Sequence, residues 1–272
     1  MRLLLLLPLL LACALPAQAQ RQPEVPDLAV FKSDGAIAPE VWNLGAGSNG
    51  RADARKQADL PRRYRARLTS HKPGASPESL PIGTREVEIT PLGEGYVFVR
   101  AITRSEGGAG TTIEESLTWR GVVKIYSRDI VVTSFDGVSG VQTVMRATRA
   151  PGSLPDVAAM AEGSSFNYAM EWTQISAMIG DGMQRYDEKR HVNGYTRRCT
   201  AGAGRPASSL SSALRGQVFP LGCTDSWNGK EYTESLLYLD AYAMAVQHDF
   251  FGGKAAVSGE IFHETQVEVL TR

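Results

Sequence analysis

The residues that could do chemistry are few, and their spacing does not suit it. Four histidines occur, His71, His191, His248 and His263. Zinc held on one helix face needs two histidines a turn apart, and His263-Glu264 has no second histidine. The glycine-flanked serine of a nucleophile elbow is also missing, since Gly152-Ser153 and Gly163-Ser-Ser lack the second glycine. Acidic pairs stand at Glu86/Glu88, Glu114-Glu115, Asp187-Glu188 and Glu231/Glu234. Glycoside hydrolysis needs two carboxylates placed across a sugar. Glu86 and Glu88 instead share one face of a strand and read as a solvated face. Gly45-Ala-Gly47-Ser-Asn-Gly50 spells a dinucleotide fingerprint, but no strand–helix–strand unit surrounds it, so it reads as a turn-rich loop. These patterns assign no catalytic residue, no metal ligand and no cofactor, and they leave enzymatic activity without a named reaction.

Two features are more informative. Cys199 and Cys223 are the cysteines that remain once the N-terminal leader is set aside, and in an oxidising compartment such a pair is most simply a disulfide, the alternatives being two free thiols or an intermolecular bridge. Arg51 to Arg67 holds seven Arg and Lys against Asp53 and Asp59. That stretch suits an anionic surface such as lipid headgroups, or a strand edge protected by charge.

The leader itself reads as an export signal over residues 1–19. Met1-Arg2 is a short basic region, Leu3–Ala12 is apolar, and Ala17-Gln18-Ala19 is a small-x-small cleavage site that makes Gln20 the mature N-terminus. Leu10-Leu11-Ala12-Cys13 supports an alternative, a lipoprotein anchored at Cys13. No Asn-x-Ser/Thr sequon occurs, and the expected location is the periplasm. The formal charge of the whole chain is +0, which gives no electrostatic reason to seek nucleic acid. After residue 19 no apolar run reaches the roughly 20 residues of a transmembrane segment.

The elements that would have to position a site are strands. Residues 20–62 carry Pro23, Pro26, Pro39 and Pro61 among glycines, and read as an extended Pro/Gly-rich leader with one short helix near Arg51–Ala58. From residue 63 the apolar period becomes two. Strands are expected over Tyr64–Leu68, Thr84–Thr90, Tyr96–Thr103, Thr112–Trp119, Gly121–Tyr126, Ile130–Phe135, Val141–Ala147, Phe166–Trp172, Met183–His191, Tyr195–Cys199, Gln217–Thr224, Lys230–Tyr238, Ala243–Asp249 and Glu260–Leu270. Asp136-Gly137, Asp181-Gly182, Asn193-Gly194 and Asn228-Gly229 mark tight hairpin turns. Short helices are expected over Leu154–Met160 and Ser208–Leu214. The reading is a mainly all-β protein. Residues 63–272 form a single antiparallel β domain, a large curved sheet of the half-barrel or sandwich kind with few short helices.

Aromatics crowd the second half: Trp172, Trp227, Tyr232, Tyr238, Tyr242, Phe250 and Phe251. They either pack a core or line a cavity, and Trp172, Tyr238 and Tyr242 are the candidates for a ligand groove. The cysteine-bearing strand 217–224, the Asn228-Gly229 turn and the run Glu234–Val246 together resemble a group of bacterial periplasmic proteins of unknown function. Their long curved antiparallel sheet is similar to the lipoprotein-carrier half-barrel. The resemblance implies a sheet wrapped around a hydrophobic groove, with no catalytic residues to carry over. The function expected first is a non-catalytic envelope protein that binds an apolar ligand, a lipid or an acylated lipoprotein partner. The alternatives are a structural or assembly module that docks another envelope protein, and a hydrolase whose site the sequence does not display.

Overall fold

The protein is described from a computed structural model, which covers residues 26–45, 55–71, 80–105, 110–135, 138–150, 157, 160–180, 184–247, 254–257 and 261–271. The export signal with Cys13, the turns Asp136-Gly137 and Asp181-Gly182, most of the helix expected over 154–160, and His248, Phe250 and Phe251 lie outside the described residues.

Strand follows strand along the chain: β1 Arg63–His71, β2 Leu80–Gly93, β3 Tyr96–Ser105, β4 Thr111–Trp119, β5 Val123–Phe135, β6 Val138–Arg149 and β7 Ser165–Ile179. The second half adds β8 Arg185–Ala201, β9 Arg205–Pro206, β10 Gln217–Trp227, β11 Lys230–Leu239, β12 Met244–Gln247, β13 Lys254–Val257 and β14 Ile261–Thr271. All belong to one antiparallel sheet in the order β12-β11-β10-β8-β7-β6-β5-β4-β3-β2-β1-β14-β13, with β9 beside β10. The expected architecture is therefore the observed one, a curled antiparallel half-barrel with only short helical pieces. Nearly every connection joins sheet neighbours, because hairpins need only a local turn. At Asn228-Gly229 both residues have positive φ, 50° and 73°, as a type I′ hairpin turn demands.

Three local expectations need correction. Asn193-Gly194 makes no turn: β8 runs straight through it, because β7 pairs with it on both sides of that point, Trp172 with Asn193 and Glu171 with Gly194. The two strands expected at 121–135 are one, β5, with a bulge that lets Leu117 face Tyr126 while Thr118 faces Lys124. The leader expected to be extended is, where described, folded onto the sheet. Helix α1, Leu28–Lys32, opens with Asp27 accepting from the Ala29 amide at 3.4 Å. Leu28 and Phe31 lie three apart on its buried face. A 3₁₀ turn, Pro39–Gly45, then buries Val41, whose carbonyl accepts from the Tyr96 hydroxyl at 2.8 Å. The high proline and glycine content hid this short apolar face.

The curl brings the two halves of the sheet together. One apolar cluster joins α1, Tyr96, Leu117 and Trp119 to Tyr168, Trp172, Leu221 and Tyr238. The other sets Val87, Ile89 and Val97 of β2–β3 against Leu237, Leu239, Met244 and Val246 of β11–β12. The β4–β5 turn seals the overlap. The Ala245 amide donates to the Arg120 carbonyl at 2.8 Å, and Tyr168 donates to the Val122 carbonyl at 3.0 Å. Gly121 sits here at φ +69°, where an added Cβ would lie 1.8 Å from the Ala245 carbonyl oxygen. Only glycine lets the backbones approach this closely.

Candidate functional site

Alternation along a strand puts every second residue on one face, and pairing lines these residues up in rows across the sheet. On the face that α1 covers, three successive rows differ sharply in character. The first is Phe98–Leu117–Tyr126–Arg146, the second is Arg100–Glu115–Arg128–Val144, and the third is Ile102–Ile113–Ile130–Gln142. A charged row thus lies between an aromatic and an aliphatic one.

Helix α1 roofs the first two rows incompletely. Phe31 stacks on Phe98 and Tyr126, with ring centroids 5.9 and 5.4 Å apart. Beside it a cleft of about 340 Å³ remains between Pro26, Val30 and Asp34 on one side and the two rows on the other. That size lies in the range of small-molecule sites. Val30 is 58% exposed at its mouth.

The charges of the cleft are largely interlocked. Glu115, buried, holds Arg128 at 2.8 Å and Arg100 at 3.5 Å. Asp34 accepts from Arg146 Nε at 2.6 Å, and the same guanidinium lies over the Tyr126 ring. Burial raises the Tyr126 hydroxyl above its usual range, so it stays a neutral donor at any physiological pH. Among the described residues, three arginines and two carboxylates line the cleft.

The sequence reasoning did not single out these residues, although a signal was present. Phe98-Val-Arg100-Ala-Ile102 and Tyr126-Ser-Arg128-Asp-Ile130 repeat one pattern, aromatic-x-Arg-x-Ile. In a strand it puts an arginine on an otherwise apolar face, which costs free energy unless that arginine has partners.

The expected site residues fall elsewhere. Cys199 and Cys223 do form a disulfide, across directly paired positions of β8 and β10. Trp172, Tyr238 and Tyr242 do not line an open groove: each is at most 2% exposed. Trp172 and Tyr238 belong to the first apolar cluster and Tyr242 to the second. Their hydroxyl partners are structural as well. Tyr238 donates to the Val157 carbonyl at 3.0 Å, and Tyr242 accepts from the Arg215 amide at 3.2 Å. The curl of the sheet covers them, so a partner is not needed to. His191 is exposed on β8, opposite Gln174. In the basic stretch, Arg63 bonds Glu88 and Asp59 bonds Arg215, both at the surface.

A smaller cavity of about 120 Å³ is edged by Lys124, Asp129, Arg197 and Glu234. It is too small for a drug-sized ligand. Asp129 stands directly across from Glu114. Its pKa is raised, first by burial, with Lys124 opposing and Glu114 adding to the rise. The folded state therefore holds this proton more tightly than the unfolded chain does, and the burdened charge lowers stability above the folded pKa. Asp129→Asn is expected to be more stable than the parent at pH 7 in urea melts. The advantage closes as pH falls into the ordinary carboxylate range. A variant that is less stable at pH 7 refutes this reading.

Among the described residues no helix is long and apolar enough to cross a membrane, and no three His, Cys, Asp or Glu are grouped as a metal site. No protein-family model matches the chain, and no curated protein or solved structure matches it significantly.

Proposed function

We propose that this is a non-catalytic envelope protein that binds an apolar or acylated ligand, and that the ligand lies in the cleft beneath α1. The observation that carries this reading is the cleft itself. It is of ligand size, it is walled by Phe31, Phe98 and Val30, and it leads by strand register toward the Ile102–Ile113–Ile130 row. The disulfide is compatible with an exported chain. The buried Glu115 and the half-buried Asp225 are each held by arginine, an arrangement that supports architecture rather than turnover. A neutral apolar dye such as N-phenyl-1-naphthylamine is expected to bind the folded chain with enhanced fluorescence and to be displaced by acyl chains. Val30→Asp puts a carboxylate on the apolar wall at an exposed position and is expected to weaken the dye roughly tenfold, about the 1.4 kcal/mol that exclusion of a charge from an apolar contact supplies. No dye binding, or equal binding by the variant, rejects the reading.

A second reading, docking of another envelope protein, rests on a separate observation. Val131 and Val141 face each other across β5 and β6, 41% and 43% exposed, with Met178 next in the row. An exposed apolar row of this kind is a site for a protein contact.

A further inference from the structure

Strand β8 is longer than the strand beside it. β7 pairs with it from Ile179–Arg185 to Ser165–Thr200, whereas β10 pairs with it only from Trp227–Tyr195 to Leu221–Ala201. Beyond Tyr195 the chain of β10 has turned back at Asn228-Gly229. Among the described residues no strand pairs with residues 189–194 on that side. Lys189, Arg190, His191, Val192 and Gly194 are all exposed.

The register fixes where the backbone groups of this edge point. The Ala201 amide donates to the Ser164 carbonyl on the β7 side, and the Gly202 amide to the Pro220 carbonyl of β10. Direction alternates residue by residue, and β7 pairs with residues 189–200 without a shift. Cys199 and Cys223, with Cα atoms 4.1 Å apart, form the close kind of pair that exchanges no hydrogen bonds, as this phase requires. The N–H and C=O groups of Arg190, Val192 and Gly194 therefore point away from β7, along the open edge. Native edges are commonly blunted by charge or by a bulge. The bulge here lies at one end, where Asp187 has φ 50° and the register with β7 shifts. Mid-edge stands Val192, apolar and 57% exposed.

We propose that residues 189–194 of β8 dock an extended segment of another protein, which adds as a strand antiparallel to β8 and in line with β10. The occupant is a strand because alternating N–H and C=O groups are what this edge matches. It is short, because the Asn228-Gly229 turn and the Asp187 bulge close the two ends. Directly opposed side chains select its sequence: an apolar residue opposite Val192 and, two positions later, an acidic one opposite Arg190. A second copy supplies no such match. Every in-phase pairing of 189–194 with itself sets Arg190 against Arg190, Val192 or Gly194, never against a carboxylate. The site is separate from the cleft beneath α1 and does not depend on a ligand there.

The test uses the whole chain and the peptide Thr-Thr-Val-Thr-Glu-Thr, acetylated and amidated, with binding read by calorimetry. Methylating the amide of the peptide's valine is expected to weaken binding roughly tenfold or more, the worth of one main-chain hydrogen bond. Val192→Pro removes an N–H that the sheet does not use, so it is expected to abolish binding while leaving the urea midpoint near that of the parent. His191→Pro removes an N–H that β7 does use and is expected to lower the midpoint clearly, which checks the phase without any peptide. Arg190→Glu is expected to weaken the peptide, and lysine in place of the peptide's glutamate to restore it. If Val192→Pro destabilises as much as His191→Pro, the edge does not face outward and the proposal fails. It fails equally if no peptide binds, or if the parent, Val192→Pro and Arg190→Glu bind alike. A chain that sediments as a dimer, and as a monomer after Val192→Pro, gives the edge to a second copy and overturns the foreign strand.

Discussion

Arg197→Ala lowers the unfolding free energy by about 3–5 kcal/mol, the largest effect expected of any single side chain here. Arg197 is 7% exposed on β8. Its Nε and Nη2 donate to the two carboxylate oxygens of Asp225 at 2.7 and 2.6 Å, a bidentate pair. Nη2 also bonds Glu234 on β11, and Nη1 donates to the Val122 carbonyl at 3.4 Å, in the turn that seals the curl. The guanidinium also lies over the Tyr195 ring. One side chain therefore ties β8, β10, β11 and the β4–β5 turn. Its removal leaves two neighbouring carboxylates with no cation between them, and Asp225 is only 14% exposed. Removing the whole set in Arg197→Met, Asp225→Leu, Glu234→Leu is expected to recover most of the loss, because a packed apolar trio needs no counter-charge. Urea denaturation of the single and triple variants checks both statements. A loss under about 1 kcal/mol for Arg197→Ala, the worth of a surface pair, shows that the site is solvated instead.

Cys199→Ala with Cys223→Ala is expected to lower stability by about 3–4 kcal/mol, the chain-entropy value for a loop of this length. The two cysteines are separated by 24 residues. The loop they close carries β9, the short 3₁₀ turn Ala207–Ser209, and the buried Ala207, Leu214 and Val218 of the second apolar cluster. Those contacts form against β2–β3 only after the curl is made, so the link restrains the unfolded chain well before packing rewards it. Thiol titration of the chain from Gln20 onward, unfolded without reductant, should find no free thiol. Two reactive thiols per chain, or a double variant as stable as the parent, would refute the structural role.

Element type was legible because its signal is local. Phe166, Tyr168, Met170 and Trp172 alternate with smaller or polar residues, and β7 is a strand for that reason. Asn228-Gly229 turns as written, since both residues tolerate positive φ. The same local rule misled at Asn193-Gly194. A turn-prone dipeptide does not fold back when a neighbouring strand already supplies hydrogen-bond partners on both sides of it. The leader failed for a related reason, since two apolar residues three apart in α1 carry too little periodicity to stand out among prolines.

The sequence by itself determined a disulfide-linked antiparallel sheet, most of its strands and the apolar residues that would be buried. Which surface stayed open was decided only by the tertiary structure. By type, Trp172 and Tyr238 suit either a core or the lining of a groove, and the curl that folds β11–β12 onto β2–β3 puts them in the core. Arg100 and Arg128 come from strands well apart in the chain, and Glu115 reaches both only because β4 pairs between β3 and β5 in one register. A shift of one residue in that pairing would have turned those side chains to the other face. Burial and charge pairing depend on sums over distant partners, which no local pattern contains. The cleft beneath α1 exists because a short helix with two apolar side chains covers an aromatic row and stops before the isoleucines.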